Sequence, residues 1–174
     1  LFKTAIRSDD PVVYFEHKNI WGYEGDVPED EVLIPFGKGR LEKKGNDLTI
    51  VSWSAQMHVA ANAATLLQAE GISVELIDLR TLWPWDRQMV FDSVRKTGRL
   101  LITHESVSVG GFGAEIAATV SEQLFSVLKA PITRCAAPRV PISYAPPLED
   151  KIRVSSEQIV EAARKLVEAS SGKK

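Results

Sequence analysis

The stretch that decides the fold runs from Arg99 to Ala118 and reads RLLITHE, SVSVGG and FGAEIAA in succession. An apolar run of strand length ends in the polar pair His104-Glu105. A glycine-rich loop follows over residues 106–111, and an amphipathic pattern begins at Phe112. This order predicts one strand, its turn and the crossover helix of a parallel α/β sheet. Ligands and partners bind at the carboxyl ends of central strands in such sheets, so this stretch either holds a ligand or only packs.

Similar patterns extend in both directions from this stretch. Apolar strand patterns cover residues 38–44, 48–54, 74–79 and 132–136, and helical patterns separate the later ones. This alternation predicts a parallel sheet with helices on both faces. The turn sequence Gly45-Asn46-Asp47 joins the first two strands and predicts a tight hairpin, which would make the first strand antiparallel to the rest.

The helices carry local start and stop signals. Asp86 is placed to cap a helix that reaches Thr97, and Gly98 closes it. Ser155 and Gln158 form the pattern of a capping box at the start of the last helix. Spacing at 3.6 residues predicts two buried stripes, namely Met57, Ala60, Ala61, Ala64 and Leu67 on the first long helix, and Ile116, Val120, Leu124, Val127 and Leu128 on the helix after Phe112.

The residues before position 37 do not form a domain of their own. A short helix from Leu1 is stopped before Pro11, and residues 12–16 read as a strand rich in β-branched and aromatic residues. One helix and one strand cannot bury a core, so we assign residues 1–17 to the end of another domain. Residues 18–36 read as a linker, residues 37–170 as the main domain and residues 171–174 as a tail.

The bulk composition narrows the possible partners and environment. The chain has 174 residues, 44% hydrophobic and 25% charged, which is typical of a globular domain. A formal net charge of -2 gives no electrostatic basis for binding nucleic acid or an anionic membrane. The single cysteine, Cys135, excludes an internal disulfide. No apolar run approaches the roughly 20 residues that a membrane span needs.

Two features near the central strand could carry chemistry, and each has a structural alternative. His104-Glu105 could serve as a general acid and base, but adjacent strand residues point to opposite faces, which favours structural or interface roles. The glycine-rich loop could hold a phosphate at a helix N-terminus. Ile116 stands where a dinucleotide fingerprint needs its last glycine, so tight strand–helix packing is favoured. The three histidines are scattered and do not predict a metal site.

A set of motifs lies, in order, at residues 11–18, 27–29, 34–38, 74–86, 96–99, 104–105, 110–116, 130–132, 141–142 and 144–146. As an ordered set they resemble the β subunit of the E1 component of 2-oxo acid dehydrogenase complexes, the group that acts on branched-chain 2-oxo acids, pyruvate and acetoin. The resemblance covers nearly the whole chain and about the C-terminal half of such a subunit.

The resemblance implies a fold and a cofactor. The fold is the C-terminal domain of transketolase, a three-layer α/β/α sandwich on a five-stranded, mostly parallel sheet with one antiparallel strand, preceded here by a stub of the pyrimidine-binding domain. It also implies an enzyme that uses thiamine diphosphate and Mg²⁺ for oxidative decarboxylation of a 2-oxo acid and acyl transfer to E2 lipoyl groups. The catalytic residues of the family's β chain lie in the pyrimidine-binding domain, and the α chain holds the diphosphate and metal. We therefore assign no catalytic, cofactor-binding or metal residue here and expect the chain alone to be inactive.

The resemblance also implies partners: an E1 α subunit, a second β subunit and the subunit-binding domain of E2. Because exposed aromatic residues in loops favour interfaces, we take three loops as candidate contact surfaces. Their residues are Trp83, Trp85, Val109, Phe112, Arg139 and Tyr144. Packing within the domain is the alternative. A branched-chain substrate is weakly favoured over pyruvate by Trp85-Asp86 and residues 101–105. The expected location is the bacterial cytoplasm or the mitochondrial matrix.

Two other interpretations stay open at this point. The chain could be a stand-alone interaction module that uses the same fold. It could also be an α/β domain that binds a small molecule at the strand ends near Glu105 and Gly110.

Overall fold

The computed structural model describes residues 1–171, and the side chains of residues 1–169. Five strands form one sheet: β1 (Arg40–Lys43), β2 (Leu48–Ser52), β3 (Val74–Asp78), β4 (Leu100–Val107) and β5 (Thr133–Ala137). The helices are α1 (Phe2–Ile6), α2 (Gln56–Ala69), α3 (Arg87–Thr97), α4 (Gly113–Leu124), α5 (Pro146–Ile152) and α6 (Ser156–Ser171). Short 3-10 helices lie at Lys18–Ile20 and Phe125–Val127.

The strand order is β1-β3-β2-β4-β5, and only β1 runs antiparallel to its neighbour. The mixed five-stranded sheet expected from the sequence is therefore confirmed. The predicted hairpin is wrong, because β1 pairs with β3, with Arg40 opposite Asp78 and Leu41 opposite Ile77. β2 lies on the far side of β3.

The turn at residues 45–47 explains why no hairpin forms. The amides of Asn46 and Asp47 donate to the carbonyl of Ser73, so this turn is bound to the start of β3. A Cβ on Gly45 would lie only 2.1 Å from the carbonyl carbon of Val74. Glycine permits this close approach of two backbones, and the chain then passes β3 instead of folding back on β1.

Each face of the sheet is covered by helices, because alternate strand residues point to opposite sides. Leu48, Ile50 and Leu101 pack with α2 and α6 on one face. Val51 and Ile102 pack with α3 and α4 on the other face. The result is the expected three-layer α/β/α arrangement.

The helix ends agree with the local sequence signals. Oδ1 of Asp86 accepts from the amide of Met89 at 3.1 Å, and Gly98 ends α3 with φ of 73°. Ser155 and Gln158 form both hydrogen bonds of the capping box. The buried stripes need two corrections. Ala63 is buried where Ala61 was expected, and Val127 is exposed because α4 ends at Leu124.

Three other expectations concern segments outside the main pattern of strands and helices. Residues 12–16 do not form a strand, since no described segment pairs with them, and Phe15 is 88% exposed. Residues 137–147 are rich in proline and read as a long loop, but α5 begins within them, and its first residues Pro146 and Pro147 suit a helix start. Of the predicted tail, residues 172–174 lie outside the described residues, and Ser171 is the last residue of α6.

Candidate functional site

The carboxyl end of β4 is irregular, and the candidate site lies beside this irregular segment. In the pairing with β5, His104 lies opposite Ala136 and Val107 lies opposite Ala137, so two extra residues bulge out of β4 between them. Bulges redirect side chains and are frequent beside functional sites. Sequence periodicity did not predict this feature, and the strand was expected to end at Glu105.

His104 points from β4 into the layer of α4. Its ring is buried and stacks on Trp53, with ring centroids 5.2 Å apart. Nδ1 lies 3.0 Å from the carbonyl oxygen of Ser106 and 2.8 Å from its hydroxyl. Burial lowers the pKa of His104, against the opposing effect of the Ser106 carbonyl. The imidazole is therefore held in its neutral form.

The other ring nitrogen of His104 is covered by helix α4. Within the described residues, Nε2 has no hydrogen-bond partner. A Cβ on Gly113 would lie 2.5 Å from it, so only glycine permits this contact. A nitrogen covered in this way cannot exchange a proton with a substrate, which favours a structural role for His104.

The glycine-rich loop also packs tightly. A Cβ on Gly111 would lie 2.4 Å from the carbonyl oxygen of Val107, and Gly110 adopts a left-handed φ of 76°. These contacts support the packing interpretation of the loop rather than the phosphate-binding one.

Glu105 points to the opposite side from His104, so the two do not form an acid–base pair. Its Oε2 lies 2.6 Å from Nε2 of His17. Nδ1 of His17 accepts from the amide of Asn19 at 3.2 Å, so Nε2 carries the hydrogen that is donated to Glu105. Tyr23 stacks on His58 of α2 with centroids 4.2 Å apart. We call residues 17–23 the strap, because these two contacts attach it to the sheet domain.

A cavity of about 200 Å³ lies between the strap and the strand ends. The strap covers one side, the start of α2 forms another, and the segment before α6 closes the third. Opposite charges meet there, because Glu105 and Arg153 both line it. The complete lining is Asn19, Ile20, Tyr23, Ala55, Gln56, His58, Val59, Glu105, Arg153 and Val154.

The six candidate interface residues do not share one environment. Trp83 is 71% exposed, and Val109, Arg139 and Tyr144 are also exposed. Phe112 is half-buried and packs edge-on against Trp53.

Trp85 was expected on the surface but is only 4% exposed. Its ring packs edge-on against Phe91 in the core between the sheet and α3. Arg87 lies 5.6 Å from the rings of both Trp83 and Trp85, so the guanidinium connects the exposed tryptophan to the buried one.

Neither a metal cluster nor a membrane helix is found in the described part of the chain. Within residues 1–171, no group of three His, Cys, Asp or Glu residues could hold a metal ion. No helix in the same range is long and apolar enough to cross a membrane.

The sequence matches the profile of one known family over most of the sheet domain. Residues 37–159 match "Transketolase, C-terminal domain". The chain belongs to this family. A solved structure named as a split-gene transketolase, an inactive β4 tetramer, superposes on 84% of this chain and 46% of its own length, with a TM-score of 0.70 and 27% identity.

Three curated relatives are β subunits by name. The β subunit of a pyruvate dehydrogenase E1 component from Porphyra purpurea is 38% identical over 98% of this chain and 51% of its own length. The β subunit of acetoin:2,6-dichlorophenolindophenol oxidoreductase from Cupriavidus necator is 44% identical over 92% of this chain and 48% of its own length. A mitochondrial 2-oxoisovalerate dehydrogenase β subunit from Arabidopsis thaliana is 50% identical over 77% of this chain and 38% of its own length. The chain thus spans about half the length, or less, of the curated relatives it matches, and the E1 β resemblance is confirmed.

Proposed function

We propose that this chain supplies the C-terminal domain of the β subunit of an E1-type 2-oxo acid dehydrogenase. The complete enzyme would oxidatively decarboxylate a 2-oxo acid and transfer the acyl group to the lipoyl groups of E2. The main support is the match to the transketolase C-terminal domain family together with the 38% identity to the β subunit of a pyruvate dehydrogenase E1 component.

We propose that this segment serves assembly. The partners would be an E1 α subunit, a second β subunit and the subunit-binding domain of E2. Exposed large side chains support this role, since Trp83 and Tyr144 present aromatic rings that a partner could bury. Trp85 does not belong to this proposed contact surface, because its side chain is buried in the core.

The cofactor of the proposed enzyme is thiamine diphosphate with Mg²⁺. When bound, it would supply the carbanion stabilisation that decarboxylation of a 2-oxo acid requires. The described residues do not fit this group, because they contain no metal-binding cluster and the glycine-rich loop is packed against β4. We therefore propose that the α subunit holds the diphosphate and Mg²⁺, and that the catalytic residues of the β chain lie in its pyrimidine-binding domain.

For the substrate, we propose a branched-chain 2-oxo acid, and for the location, the cytoplasm or the mitochondrial matrix. The 50% identity to a mitochondrial 2-oxoisovalerate dehydrogenase β subunit supports this substrate and, of the two locations, the mitochondrial matrix. Comparing turnover of 2-oxoisovalerate, pyruvate and acetoin by the intact enzyme tests the substrate.

A chimeric β subunit tests assembly directly. The segment of the Cupriavidus necator β subunit that aligns with this chain is replaced by this chain, and the product is expressed with its own α subunit. Light scattering should give the molecular mass of the unaltered enzyme. Trp83→Ala and Tyr144→Ala should reduce the assembled fraction, whereas Leu66→Ala, which truncates an exposed leucine of α2, should not. A folded chimera that never joins the α subunit would favour a stand-alone module instead.

A further inference from the structure

The cavity under the strap lies at the position where α/β sheets bind ligands. After β2 the chain continues to β3, which lies on one side of β2. After β4 it continues to β5, which lies toward the opposite edge of the sheet. In the strand order β1-β3-β2-β4-β5, the direction in which the sheet is built therefore changes between β2 and β4. Ligands of open α/β sheets bind at this switch point, beyond the carboxyl ends of the strands. Residues that follow β2 (Ala55 and Gln56) and Glu105 of β4 line the cavity there.

The lining carries one acidic and one basic side chain. Glu105 is 39% exposed and Arg153 is 49% exposed, so both charges are accessible to a small molecule. The hydrogen bond from Arg153 to Glu149 has the largest effect on the guanidinium, but Glu105 also acts on it and helps to raise the pKa of Arg153. Glu105 and Arg153 thus line one cavity with opposite charges.

The rest of the lining combines polar and apolar side chains. Ile20, Val59 and Val154 contribute aliphatic surface, and Tyr23 closes the strap side. The volume of about 200 Å³ is below the roughly 300–1,000 Å³ of drug-sized pockets, so a nucleotide does not fit. An anion alone would be repelled by Glu105, and a cation alone would be repelled by Arg153.

We propose that this cavity binds a free α-amino acid with an aliphatic side chain. Its carboxylate would pair with the guanidinium of Arg153, its ammonium group with the carboxylate of Glu105, and its side chain with the apolar wall. Glu105 already accepts from His17 through Oε2, which leaves Oε1 for the ligand. The proposal does not depend on the proposed 2-oxo acid dehydrogenase activity.

The test is titration of the ¹⁵N-labelled 174-residue chain with L-valine, followed by NMR. We expect binding in the millimolar range, with amide shifts confined to residues 19–23, 55–59, 105 and 153–154. N-acetyl-L-valine and L-valinamide, each lacking one charge, should bind about tenfold more weakly or worse, because loss of a charged hydrogen bond costs about 1.4 kcal/mol or more. Equal binding of all three compounds, no binding of L-valine, or shifts elsewhere in the chain would overturn the proposal.

Substitutions provide an independent measurement. Glu105→Gln and Arg153→Gln should each weaken L-valine binding about tenfold or more. The matched control is Glu149→Gln, which removes the present partner of Arg153 without touching the cavity lining and should leave the affinity unchanged or improved. Equal affinities of wild type, Glu105→Gln and Arg153→Gln would also overturn the proposal.

Discussion

His104 and Gly113 are in contact across the boundary between β4 and α4, and a Cβ at position 113 would lie 2.5 Å from Nε2 of the histidine. The imidazole cannot retreat easily, because its ring also stacks on Trp53. This contact sets how closely the crossover helix approaches the sheet. It also assigns His104 to packing and leaves Glu105 as the accessible member of the pair.

Gly113→Ala should therefore destabilise the domain. Overpacking of a rigid core contact costs about 1–3 kcal/mol in the free energy of unfolding. Urea denaturation followed by tryptophan fluorescence measures this difference. Gly25→Ala is the matched control, since nothing lies within 4 Å of the Cβ it would add, and it should change stability by less than about 0.5 kcal/mol. Equal urea midpoints for the two variants would mean that α4 is not in tight contact with His104.

The burial of His104 as a neutral imidazole should make the free energy of unfolding depend on pH. Because burial lowers its pKa in the folded chain, the unfolded chain binds a proton first as the pH falls. The contribution of the neutral imidazole to the free energy of unfolding is therefore complete above the unfolded pKa of about 6.5, and it is lost as the pH falls below that value. His104→Asn, which keeps a polar atom near the Nδ1 position, should flatten this slope in thermal melts between about pH 7 and 5. An unchanged slope in His104→Asn would contradict this assignment.

At lower pH, the protonation of Glu75 should reduce the stability of the fold. Burial alone would raise its pKa, but hydrogen bonds from Lys96, Ser93 and the amide of Gly45 outweigh burial and lower it. A lowered pKa gives stability that is complete above the unfolded value of about 4.3 and is lost as the pH falls through the folded value. Glu75→Gln should therefore be less stable than wild type at neutral pH, and its free energy of unfolding should fall less than that of wild type when the pH is lowered. Glu122→Gln, on the exposed side of α4, should follow the wild-type curve, and a Glu75→Gln curve parallel to wild type would contradict the assignment.

Asp86 holds together the start of α3 and the segment that enters β1. Oδ1 accepts from the amide of Met89, and Oδ2 accepts from the amide of Gly39. Asp86→Ala should cost about 1–2 kcal/mol for the cap alone, with a further loss for the Gly39 amide. Asp92→Ala removes only exposed surface contacts and should cost less than about 1 kcal/mol in the same denaturation experiment. Comparable losses for both variants would show that Asp86 makes no special contribution.

The sequence predicted much of the fold because periodicity and capping are local properties. The strand and helix pattern of the sheet domain, the Asp86 cap, the Gly98 terminus and the Ser155–Gln158 box all depend on neighbouring residues. The partner of β1 depends instead on contacts between residues 45–47 and the start of β3, far apart in the chain. A turn sequence cannot reveal such a contact, which is why the hairpin prediction is wrong.

The candidate site was harder to predict for a related reason. Alternation along β4 correctly separated His104 from Glu105. The bulge after His104, the contact of His17 with Glu105 and the burial of Trp85 all arise from tertiary packing. Arg153 joins the cavity only because the segment before α6 returns to the carboxyl ends of β2 and β4. No local pattern around Arg153 signals this position.

If this chain acts as the C-terminal domain of an E1-type β subunit, as proposed, it should support activity in the chimera. Acetoin-dependent reduction of 2,6-dichlorophenolindophenol by the Cupriavidus necator enzyme that carries the chimeric β subunit measures this. Turnover should be comparable to that of the unaltered enzyme and should fall on Gly113→Ala in step with its stability. A chimera that folds and assembles with the α subunit but reduces no dye would contradict the proposal.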